Sequence, residues 1–168
     1  MSNTQSIRIS GITPESIVDG EGIRYVIFTQ GCPHNCSGCH NPSTHSFDGG
    51  KVVAIHDILT DIEKNRKYID GITLSGGEPF CQIDQCSIIA ERARKLGLTV
   101  WCYTGFSFEE LYGRGDALEL LQNLDVLVDG PFILEERSLD LDFRGSRNQR
   151  IIDVRTSLKE GVTIIKKI

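Results

Sequence analysis

A chain of 168 residues with 39% hydrophobic and 24% charged content has the make-up of one ordinary globular domain with a proper core. Its net charge of −5 and mostly scattered basic residues exclude a protein that grips nucleic acid by the phosphates, and no apolar run reaches the length of a membrane span. The start, MSNTQSIRIS, has no signal-peptide architecture, so a cytoplasmic location is expected, where six cysteines argue for metal or redox chemistry rather than disulfides.

Taken in order, residues 1–20 read as a short strand, with Ile7 and Ile9 alternating, followed by a turn. Asp19 to Gly22 is a flexible loop, and the β-branched and aromatic run 23–30 is a buried strand. Ile55, Ile58, Leu59 and Ile62 keep helical spacing, which predicts a helix over about 54–67. Residues 71–75 form a second strand of the alternating pattern. Ile83, Cys86, Ile89, Ala93 and Leu96 then line one helix face that stops at Gly97. A strand from Leu98 to Cys102 follows.

Ser107 to Glu110 has the spacing of a capping box, with Phe106 and Leu111 placed as its hydrophobic staple; Asp116 to Glu119 repeats the box spacing. Residues 126–128 read as a strand and 135–149 as a polar, irregular stretch. Two strand-like runs, 151–154 and 162–165, close the chain. Strands alternating with helices predict a parallel α/β sheet, and the length is too short for a closed eight-fold barrel. The expected architecture is an open, partial (β/α) barrel of five to six parallel strands, a single domain over 1–168.

The unusual loops all follow strands. Cys32, Cys36 and Cys39, half of the cysteines, fall within eight residues at spacing C-x3-C-x2-C, with Pro33, Gly38 and Pro42 to turn the backbone around a common centre. Three thiolates leave a fourth ligand position open, as suits a four-iron, four-sulfur cluster with one iron free to bind a small molecule. Zinc closed by His34 or His40 satisfies the same spacing, and so does a disulfide or an unligated loop. After the second strand comes Ser75-Gly76-Gly77-Glu78-Pro79, where two glycines permit close approach by a ligand and Glu78 could accept from an ammonium group. Alone it would read as a tight turn. Tyr103 to Gly105 follows the third strand and Asp129-Gly130 the fourth; ligands of such sheets bind at the strands' carboxyl ends.

Cys81, Cys86 and Cys102 read as structural, and His45 and His56 as surface residues. Arg144, Arg147 and Arg150 form a basic group late in the chain, which alone reads as a solvated loop. No catalytic serine–histidine pair or paired carboxylates appear.

These residues resemble a known family. Cys32-x3-Cys36-x2-Cys39 followed by Gly76-Gly77-Glu78 is the signature pair of radical S-adenosylmethionine enzymes. The fuller strings Gly31 to Pro42, Leu127 to Phe132 and Arg144 to Gln149 look like the activating enzymes of anaerobic ribonucleotide reductase. The resemblance runs over about 19–154; Glu21 stands where many relatives carry proline, and Phe143 where tryptophan is common.

The resemblance implies the radical S-adenosylmethionine type of barrel, a 4Fe-4S cluster on Cys32, Cys36 and Cys39, and S-adenosylmethionine chelated to its fourth iron. Gly38, Cys39, His40, Gly76, Gly77 and Glu78 would contact that cofactor. One-electron cleavage would give a 5′-deoxyadenosyl radical that takes hydrogen from a glycine of the reductase's large subunit. A low-potential donor such as flavodoxin or ferredoxin would supply the electron. Apart from the resemblance, a partial barrel leaves an open side, and Arg144, Arg147 and Arg150 are the residues best placed in sequence to meet a peptide entering there. An activase of another glycyl-radical enzyme and a non-catalytic zinc or iron–sulfur module are the alternative readings.

Overall fold

The loop between two strands decides their relative direction. In the computed structural model, which describes residues 5–168, β1 (Ser6–Ser16) and β2 (Arg24–Thr29) are joined by a short loop and pair antiparallel. β3 (Lys51–Ala54) returns from the cysteine loop to pair antiparallel with β1. Three connections then cross back over the sheet through helices. They run through α1 (Ile55–Asn65) to β4 (Gly71–Gly76), and through α2 (Ile83–Lys95) to β5 (Thr99–Tyr103). The third passes α3 (Phe108–Tyr112) and α4 (Leu118–Leu121) to β6 (Val126–Asp129). β2, β4, β5 and β6 are therefore parallel neighbours.

β7 (Arg150–Asp153) pairs antiparallel with β6, and α5 (Val154–Glu160) follows it directly. The result is a mixed α/β fold with one seven-stranded sheet in the order β3-β1-β2-β4-β5-β6-β7. The expectation of five to six parallel strands is corrected to four. The loop 130–149 stays at the rim where β6 ends, so β7 can only run back down.

Other local expectations divide in the same way. The capping box at Ser107 forms, with Glu110 N–H donating to Ser107 Oγ at 3.1 Å and Ser107 N–H to Glu110 Oε1 at 3.4 Å. The one at Asp116 does not: its carboxylate instead takes a bidentate bond from Arg114, and Ala117 precedes α4. Residues 162–165 supply only a single bridge, Ile165 to Ile152. β3 and α5 carry no signal of their own in the sequence; Asp153, which read as strand, caps α5 by accepting from Thr156 N–H. Residues 1–4 of the first expected strand lie outside the described residues.

Period-two alternation splits the buried side chains between two faces. Tyr25, Ile27, Ile72, Leu74, Val100, Cys102 and Leu127 face α1 to α4 and form the main core with Ile58, Ile62, Ile89, Leu111 and Leu121. Trp101, Val126, Val128 and Ile151 make a smaller cluster on the opposite face. On that face Arg24 is 1% exposed and spans the lower sheet. Its guanidinium donates to Thr73 Oγ1, Thr99 Oγ1 and the carbonyls of Glu21, Ile72 and Thr99, and sits over the Trp101 ring. Burial lowers its pKa to about 10, yet five acceptors keep the charge satisfied. The small face thus stays closed below and open above, where the strands end.

Candidate functional site

The cysteine loop leaves β2 and folds back on residues 41–46. Gly31 N–H donates to Thr44 O at 2.7 Å and Cys32 N–H to His45 O at 3.1 Å. Within it Cys39 N–H turns back to Cys36 O, and Asn41 N–H donates to Cys39 Sγ at 3.4 Å. Asn35 (φ 50°) and Gly38 (φ 75°) take left-handed turns that bend the loop.

The end of β4 is stitched to the same loop, with Gly77 N–H donating to Thr29 O and Glu78 N–H to Gly31 O, both at 2.8 Å. A β-carbon on Gly77 would stand 2.4 Å from Gly31 O, and one on Gly76 would stand 2.4 Å from Thr29 N. The close approach that demands these glycines is therefore that of the chain's own backbone.

The four strand-end loops enclose one cavity of about 670 Å³. Cys32, Cys36 and Cys39 line it, as do His40, Ser75, Gly76, Gly77, Tyr103, Thr104, Gly105 and Gly130. Cys81, Cys86 and Cys102 do not; the last two are fully buried in the core. Burial pushes the Cys32 thiol up, the His34 backbone N–H opposes this, and Glu78 and the two other loop thiols add to the rise. A thiol placed as Cys32 is needs a cation to hold it as a thiolate.

Among the described residues no three cysteine, histidine, aspartate or glutamate side chains are gathered at coordinating distance. The loop presents three thiols to one cavity without presetting a polyhedron. The set nevertheless fits an iron–sulfur cluster: three soft ligands on one wall, no fourth thiol, and a volume in the range of small-molecule sites.

Two expected cofactor contacts lie elsewhere. Gly38 is outside the lining and faces Leu134 and Phe132. Glu78 is fully buried, also outside the lining, and its carboxylate is already bonded. It accepts from His34 Nε2 at 2.6 Å, Thr104 Oγ1 at 2.9 Å, Gly105 N–H at 2.8 Å and Phe80 N–H at 3.1 Å. A carboxylate with four donors holds the loops together. His34, Thr104 and Gly105, which it holds, do line the cavity.

The arginine cluster is divided by the fold. Arg150 pairs with buried Asp129 and, bidentate, with Glu109. Arg147 is exposed and outside the lining; Arg144 is half-buried and in it. Reading by spacing missed His45, which lines the cavity, and the apolar pair Ile17 and Val18 at its mouth, both more than two-thirds exposed. Phe132, packed edge-on against His40, was missed as well. Only two exposed apolar residues in a turn could have signalled the mouth.

The sequence matches the family described as "4Fe-4S single cluster domain" over residues 18–152, and the chain is a member of that class. It is 34% identical over 145 residues to the anaerobic ribonucleoside-triphosphate reductase-activating protein of Haemophilus influenzae, covering 82% of this chain and 92% of that one. Identity to the protein of the same name from Vibrio cholerae is 36%, with the same coverage. The chain belongs to this family of reductase-activating proteins. Among solved structures, QueE from Escherichia coli aligns at TM-score 0.47 and 14% identity over 74% of this chain and 70% of its own.

Proposed function

We propose that the chain is a radical S-adenosylmethionine enzyme that installs the glycyl radical of anaerobic ribonucleoside-triphosphate reductase. The observation that carries this is the cavity's inventory: the three loop cysteines, and none of the other three, share it with the glycine strand end of β4. Membership of the activating-protein family supports the choice of reductase. The four parallel strands and their rim are then the open part of a barrel that spans the single domain.

Cys32, Cys36 and Cys39 would hold a 4Fe-4S cluster. Cluster and S-adenosylmethionine supply, when bound, one-electron cleavage of the sulfonium to a 5′-deoxyadenosyl radical that removes hydrogen from the reductase's glycine. The chain's own work is placement. Cys39, His40, Gly76 and Gly77 bound the cofactor's space, with the two glycines letting the β4 end lie flat against the cysteine loop. Glu78 positions His34, Thr104 and Gly105 behind it. Ile17 and Val18 offer an apolar lip to the incoming glycine segment. The electron comes from a low-potential protein such as flavodoxin or ferredoxin, in the cytoplasm; among the described residues no helix is long and apolar enough to cross a membrane.

Anaerobic reconstitution tests this. Iron and sulfide should reach about four each per chain. Alanine at Cys32, Cys36 or Cys39 should abolish the brown absorbance, while Cys86→Ala keeps it. With dithionite, S-adenosylmethionine and the reductase, electron paramagnetic resonance should show a glycyl radical that a glycine-to-alanine reductase does not acquire. Stoichiometric zinc without iron–sulfur absorbance would sink the proposal.

A further inference from the structure

Arg144 is the one lysine or arginine among the described residues that lines the cavity of the cysteines. Unlike Arg150, with its two carboxylates, it pairs with none among the described residues. Its single hydrogen bond runs from Nη1 to Gln149 O at 3.0 Å, and its Nε is buried with no partner. Asp19 and Asp142 face the same cavity but neither bonds to it. A half-buried guanidinium with donors to spare is unbalanced until an anion meets it.

The segment that carries it is braced. Phe143 holds φ 60°, uncommon for a bulky residue, and its carbonyl accepts from Tyr103 OH at 2.7 Å. The Phe143 ring packs edge-on against Trp101. The Gln149 side chain accepts from the N–H groups of Gly145 and Ser146 and donates to Gly130 O. A residue held in a sparsely populated backbone region beside such anchors is characteristic of ligand clamps. Arg144 therefore stands on a fixed part of the cavity wall.

We propose that Arg144 receives the carboxylate at the amino-acid end of S-adenosylmethionine. This rests on the function proposed above, and it moves Arg144 from the peptide interface to the cofactor site. A carboxylate has two oxygens, so the planar fork of an arginine can hold one while the other remains free for the cluster.

The test uses cluster-loaded protein without reductant, so that the cofactor is bound and not cleaved. Equilibrium binding is measured for S-adenosylmethionine and for its decarboxylated analogue, with wild type, Arg144→Gln and Arg144→Lys. Iron content and cluster absorbance confirm that the variants are intact. Arg144→Gln should weaken S-adenosylmethionine roughly 10- to 100-fold, as for a lost charge-assisted hydrogen bond, and leave the decarboxylated analogue unchanged. Arg144→Lys, which keeps the charge, should recover part of the loss.

Equal weakening of both ligands would reduce Arg144 to a support of its loop and overturn the proposal. So would unchanged cofactor binding with weakened binding of the reductase, which would give the arginine to a carboxylate of the incoming peptide. Wild-type protein that binds no S-adenosylmethionine would overturn the proposed function itself, and this inference with it.

Discussion

At Gly77 a single missing β-carbon decides how two loops meet. From the sequence, a strand-end glycine pair means room for a ligand; the atom that comes close is Gly31 O, 2.4 Å from where a β-carbon would lie. Gly77→Ala should therefore destabilise the cofactor-free protein by about 1–3 kcal/mol, the range for forced overpacking, and loosen the cysteine loop with it. Urea unfolding of apoprotein checks this; full stability with lost cofactor binding would restore the ligand-approach reading. The three cysteines were legible because a ligand set is a matter of spacing. The place of Glu78 was not, because its four donors come from residues as far apart in sequence as His34 and Gly105. Charge and position suggest a surface acceptor; only the packed rim shows a buried one.

The end of β6 and the start of β7 meet α3 through one ionic junction. Asp129 Oδ2 accepts from Phe108 N–H at 2.8 Å, at the first turn of α3, and both Asp129 oxygens accept from Arg150. Those bonds, first to Asp129 and then to Glu109, hold the Arg150 guanidinium firmly protonated. Removing it strands a carboxylate that is 2% exposed. A fully buried pair broken this way costs about 3–5 kcal/mol; Arg150 is partly solvated, so Arg150→Ala should cost about 2 kcal/mol. The measurement is the urea midpoint, with cluster content unchanged. A variant as stable as wild type that fails to activate the reductase would return Arg150 to the peptide interface.

The same region shows why strand direction was misread: 151–154 carries the right residue types, but direction depends on whether residues 130–149 cross the sheet, and a polar stretch of that length can do either. β4, β5 and the helix α2 between them were legible, since hydrophobic period and a glycine stop are local. The four-residue β3, mostly exposed, is held by pairing with β1 and is too short to leave a local mark.

For the molecule as a whole, the core stores acids that must stay neutral. Cys86 and Cys102 are fully buried, and burial first, with nearby Glu78 and neighbouring thiols, pushes both thiols well up. Tyr25, also fully buried, is raised by burial and by its hydrogen bond to Asp61 Oδ2 at 2.6 Å. In the unfolded chain the thiols ionise near about 8.5 and the phenol near about 10. A group whose folded value is raised keeps its proton in the native state after the unfolded chain has lost it. The unfolded state then binds fewer protons, and stability falls as pH rises.

The contribution is complete below about pH 8 and begins to go between about pH 8.5 and 10, where the two thiols act before the phenol. Each thiol contributes a slope approaching about 1.4 kcal/mol per pH unit, so the pair approaches about 2.7. Urea unfolding of reduced apoprotein from pH 7 to 10 should show this decline, and the Cys86→Ala, Cys102→Ala double variant should be flatter by that amount. Other titrating groups are common to both proteins and cancel in the difference. Equal slopes would mean that both thiols ionise in the folded protein as readily as in the unfolded chain, which a sealed core beneath the cavity does not permit.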